Sequence, residues 1–105
     1  METFRVEAPT EELEDLRQSL YAELGDGVDI DEMLDTAAGE LHEPMLVGMA
    51  IVFAPVVVRE VRTIILGWLE HRRKMAYLRM VDELGRKANT PGEAIEMMRV
   101  LSSAS

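Results

Sequence analysis

The sequence predicts an α+β fold: a small sheet packed on a long apolar, proline-kinked central helix with two flanking amphipathic helices. Three observations carry this. Thr3 to Ala8 alternates apolar and polar residues at the period of a half-buried strand. A charge-free run, Met45 to Val58, leads into a stripe of Val and Ile at helical spacing. Thr90-Pro91-Gly92-Glu93 has the form of a capping box, with proline at the first helical position. A mainly α-helical bundle is the alternative if Met75 to Lys87 is helical. The 105 residues, 48% of them hydrophobic, suffice for one domain spanning 1–105 with a real core.

The first strand puts Phe4, Val6 and Ala8 on one side and ends at Pro9, which cannot extend a ladder. A helix over 10–24 follows. Thr10 offers an N-cap hydroxyl, and Glu11 and Glu12 complement the helix dipole. Leu13, Leu16, Leu20 and Leu24 form its apolar stripe, and Gly25 suits a left-handed cap. Val28 to Asp31 alternates again as a second short strand, with a helix starting near Asp29 as its competitor. Thr36 to Glu43 reads as a loop or a loose helical turn.

Pro44 to Lys74 dominates the chain. Its 15 uncharged residues, Pro44 to Val58, reach only about 22 Å as a helix, short of the ~30 Å a bilayer core requires. A buried core helix is therefore preferred to a membrane span, with a kink or break at Pro55. Val57, Val58, Val61, Ile64, Ile65 and Trp68 share one face, and His71-Arg72-Arg73-Lys74 brings cations to the C-terminal end. Met75 to Lys87 reads either as a helix or as two short strands joined by a turn at Asp82-Glu83-Leu84-Gly85. A last helix near 91–102 carries Ile95, Met98 and Leu101.

Charge is unevenly distributed. The net formal charge of −9 divides into 14 acids and 2 bases over residues 1–43, and 6 acids and 9 bases over residues 44–105. An acidic front repels phosphates, so no nucleic-acid partner is expected. The chain has no cysteine, which excludes disulfides and thiolate chemistry and fits a reducing, cytoplasmic location. No secretory signal pattern opens it.

Few residues suggest chemistry. Glu40, His42 and Glu43 could ligate a divalent ion, but no second histidine lies nearby. Asp26, Asp29, Asp31 and Glu32 lack the glycine and ligand spacing of a calcium loop. Ser19 sits in a surface helix, and Ser102, Ser103 and Ser105 in the tail, so none forms a nucleophile elbow. No catalytic residue, cofactor or metal is expected. Arg72-Arg73-Lys74, with Arg79, Arg86 and Lys87, offers a basic surface for an acidic partner, including another copy's acidic front. Val57, Val61, Ile64, Ile65 and Trp68 add more apolar surface than one short sheet covers. Together with Arg72 and Arg73 they are the expected interface of a non-enzymatic protein-binding or self-associating module. A structural subunit of a larger assembly, such as a virion or secretion particle, is the alternative. A small membrane-associated protein inserting residues 45–69 is disfavoured.

The order of features resembles the effector-associated constant component family of bacterial conflict systems. The matching stretches are Phe4-Arg5-Val6, Leu13 to Leu24, Val28 to Leu34, and the helix end Gly67-Trp68-Leu69-Glu70-His71-Arg72-Arg73. Leu78 to Val81, Leu84-Gly85-Arg86 and Ala94 to Leu101 complete the series. Bulky Val and Ile with Pro55 replace the Ala and Gly usual in that family's long helix. The resemblance implies strand, helix, strand, long helix, hairpin and last helix, in a non-catalytic adaptor that couples sensing to a larger effector in defence.

Overall fold

Residues that alternate or cluster by polarity along the chain sort onto the two faces of one antiparallel sheet. The structure, a computed structural model, describes residues 1–34 and 46–103. Five strands form the sheet: β1 (Glu2–Pro9), β2 (Val28–Leu34), β3 (Leu46–Phe53), β4 (Arg79–Val81) and β5 (Lys87–Ala88), in the order β2-β3-β1-β4-β5. Three helices, α1 (Thr10–Leu24), α2 (Val58–Glu70) and α3 (Pro91–Ser103), complete an α+β fold.

The pairing fixes the topology. β3 lies antiparallel between β1 and β2, so those two run parallel, joined by α1. β1 lies antiparallel between β3 and β4, so those two also run parallel, joined by α2. Two interleaved β-α-β units make the split arrangement of ferredoxin-like folds. The β4–β5 hairpin and α3 extend it.

The expected long kinked helix is not formed. Its first half is β3, and a 3₁₀ turn at Pro55–Val57 separates that strand from α2. A short, continuous apolar run suits an inner strand as well as a buried helix, and periodicity alone does not separate the two. Proline arbitrates. It disfavours the helical region for the preceding residue, and Ala54 is extended at φ −75°, ψ 147°. Pro55 then opens the turn that leads into α2, where its missing N–H costs nothing.

Elsewhere local chemistry and structure agree closely. β1 ends at Pro9, and α1 covers Thr10–Leu24. Thr10 is the first helical residue, however, and no side chain caps that end. Gly25 has φ +51°, and its N–H donates to the Tyr21 carbonyl. Residues 79–88 form the hairpin, not a helix. At α3, the Glu93 N–H donates to Thr90 Oγ1 at 3.1 Å, and the hydroxyl faces Glu93 Oε1 at 3.4 Å.

One core joins all three helices to one face of the sheet. It contains Phe4, Val6, Ala8, Met49, Ile51 and Phe53 from the strands and Leu13, Leu16 and Leu20 from α1. Val61, Ile65, Trp68 and Leu69 come from α2, and Ala94, Ile95, Met98 and Leu101 from α3. The Phe4 and Phe53 rings stack with centroids 5.7 Å apart. Val6, Met80 and Ala88 are cross-strand partners, so the helix-covered face continues to β5.

Candidate functional site

The structure distributes the expected interface residues between core and surface. Val61, Ile65 and Trp68 are buried within the chain itself and offer no exposed apolar surface. What covers them is a larger sheet and a third helix, with α1 on the other flank. Val57 and Ile64 are partly buried and pack on the same core. Arg73 is exposed. Arg72 is engaged within the chain: Nε donates to Glu12 Oε2 and Nη2 to Asp15 Oδ2. Its guanidinium lies 5.2 Å from the centre of the Trp68 ring, and Trp68 Nε1 donates to the Glu12 carbonyl at 2.9 Å. This cluster latches the end of α2 to the start of α1.

The rest of the expected basic patch is also dispersed. Arg86 pairs with Asp82 at 2.9 Å. Asp82 is a buried carboxylate whose Oδ1 accepts from the N–H groups of Leu84 and Arg86 at 2.9 and 2.8 Å. It closes the β4–β5 turn, with Gly85 at φ +81°. Arg62 reaches Glu83 at 2.5 Å, and Arg99 reaches Glu70 at 2.9 Å. Arg79 and Lys87 remain exposed and lie on the sheet.

They belong to the face opposite the helices. Side chains alternate along a strand, and cross-strand partners share a face. With Phe4, Val6 and Ala8 turned inward, Thr3, Arg5 and Glu7 point outward. The register then gives one outward row across the whole sheet: Asp31, Ala50, Arg5, Val81 and Lys87. A second row holds Asp29, Val52 and Thr3, and a third holds Gly48, Glu7 and Arg79. Ala50, Val52 and Val81 are partly exposed, while Asp29, Asp31, Arg5, Arg79 and Lys87 are exposed. Among the described residues, no helix packs on this face.

Charge on the face is ordered. The β2 edge is acidic, the middle is small and apolar, and the β1–β4–β5 side carries three cations, Arg5, Arg79 and Lys87, against one acid, Glu7. A shallow groove of about 410 Å³ on the cationic side is lined by Arg5, Glu7, Arg79, Met80, Val81 and Lys87. Among the described residues, no ion pair ties up Arg5, Lys87, Asp29 or Asp31. Arg79 stacks over the Tyr77 ring at 5.6 Å. The alternation of Thr3 to Ala8 and Val28 to Asp31 signals outward residues, but only the strand order brings these acids and bases to opposite edges.

Glu40, His42 and Glu43 lie outside the described residues, as does the expected loop over 36–43. Among the described residues, no group of three His, Asp or Glu side chains could hold a metal ion. No helix among them is long and apolar enough to cross a membrane, because β3 and the turn at Pro55 divide residues 45–69. Comparison with protein-family models finds no match, and no curated protein matches the chain.

Proposed function

We propose that this chain is a non-catalytic protein-interaction component whose contact surface is the outer face of its sheet. The observation that carries this reading is the partly exposed strip of Ala50, Val52 and Val81, flanked by exposed acids on one side and exposed cations on the other. An apolar centre with a polar rim is the general anatomy of a protein-binding patch. The order of sequence features adds the setting: an adaptor in a bacterial conflict system, docking to a larger effector or to another copy of itself, in the cytoplasm.

Co-expression of the tagged chain with each neighbouring gene product tests this. A neighbour retained by the wild type and lost with Val52→Glu supports the reading. Retention of that neighbour by Val52→Glu overturns it, as does an absence of both retention and self-association.

A further inference from the structure

We infer that a second copy of this chain occupies the outer face, related by a two-fold axis parallel to the strands; this rests on the docking role proposed above. The charge order selects the axis. A two-fold perpendicular to the strands, in the plane between two stacked sheets, lays β2 over β2 and sets Asp29 and Asp31 against themselves. A two-fold parallel to the strands reverses the strand order, so the acidic edge of each copy meets the cationic side of the other. The contact is isologous and forms this junction twice.

Arg5 excludes one position of the axis. Centred on β1, the stack would oppose Arg5 to Arg5 in the middle of the contact. Centred between β3 and β1, it lays β3 over β1 and β2 over β4. Asp31 then enters the groove above Val81, within reach of Arg5, Arg79 and Lys87 of the second copy, three cations against the one acid there, Glu7. The aliphatic stem of Arg5 lies over Ala50, a residue small enough to admit it. Aligned sheets stack about 10 Å apart, a gap that long side chains from both faces fill.

The face is small. Four strands of each copy overlap in this stack, β2, β3, β1 and the three-residue β4, and at about 4.8 Å spacing they give a patch of roughly 20 Å by at most 20 Å per copy. Two such patches, roughly 800 Å² together, fall short of the ~1,000 Å² expected of a stable specific interface, so the dimer is weak and transient. With charge at both rims, added salt weakens it further.

Sedimentation velocity of the full chain between 5 and 200 micromolar, in low and in high salt, reads this directly. The wild type is expected to shift from monomer to dimer across that range in low salt. Asp31→Lys and Arg79→Glu, both at exposed positions, are each expected to weaken the dimer at least tenfold. Mixing the two variants is expected to restore it. At one junction of the mixed dimer the introduced lysine faces the introduced glutamate, and at the other the native Asp31 and Arg79 still meet. Glu96→Lys on α3 controls for net charge and should leave the dimer unchanged; circular dichroism checks that each variant is folded. A wild type that stays monomeric at 200 micromolar overturns the inference, as does a mixture no stronger than its components. If the monomer still loses a neighbouring gene product on Val52→Glu, the second copy is excluded while the docking face stands.

Discussion

Trp68 donates its indole N–H to the main-chain carbonyl of Glu12, 56 positions away in sequence, at 2.9 Å. That single bond ties the C-terminal end of α2 to the first turn of α1. Arg72 closes over it, with its guanidinium on the indole face and its nitrogens on Glu12 and Asp15. Trp68, Leu69 and Arg72 thus act inside the molecule, whereas Arg73 is exposed.

Trp68→Phe is expected to lower stability by about 1–2 kcal/mol, from the lost indole hydrogen bond and from lost volume. Arg72→Met keeps much of the packing on the indole but removes two ion pairs that are partly exposed. Its expected cost is about 1 kcal/mol or less, and it should shrink as salt is added. Urea unfolding at two ionic strengths separates the two variants.

The β4–β5 turn depends on a buried acid. Asp82→Ala removes the acceptor of the Leu84 and Arg86 N–H groups and the partner of the Arg86 side chain. The expected loss is about 2–3 kcal/mol. Arg86→Ala leaves both main-chain bonds to Asp82 intact and should cost less. Thermal unfolding of the two variants gives the order.

Ile65 separates a core role from a contact role. It is fully buried on the inner side of α2, so Ile65→Ala is expected to destabilise by roughly 2–5 kcal/mol. The residual folded protein should still associate as the wild type does. Chemical unfolding combined with sedimentation below the transition checks both parts.

Much of this architecture is legible in the sequence wherever a residue type has one cheap local solution. Pro9, Gly25 and the Thr90-Pro91-Gly92-Glu93 box bound their elements as their chemistry requires. Leu46 to Phe53 is the instructive failure. Val, Ile, Met and Phe without charges fit an inner strand or a core helix equally, and only pairing with β1 and β2 decides. The same long-range pairing hides the outer face. Asp31 and Lys87 are far apart in the chain, and nothing in either neighbourhood announces that they end one row of a sheet. Trp68 and Arg72 are legible as residues of weight, but their partners lie at the other end of the chain. An apolar stripe looks the same whether a neighbouring helix or another protein covers it.

Val52 offers the most direct test of the outer face as the place where this chain meets a protein. On Val52→Glu, the unfolding midpoint and association with itself and with neighbouring gene products are measured side by side. Val52 is only partly buried and turned away from the core, so the expected change in stability is less than about 1 kcal/mol. A docking role predicts near-wild-type stability together with loss of association. A variant of wild-type stability that associates as strongly as the parent contradicts it.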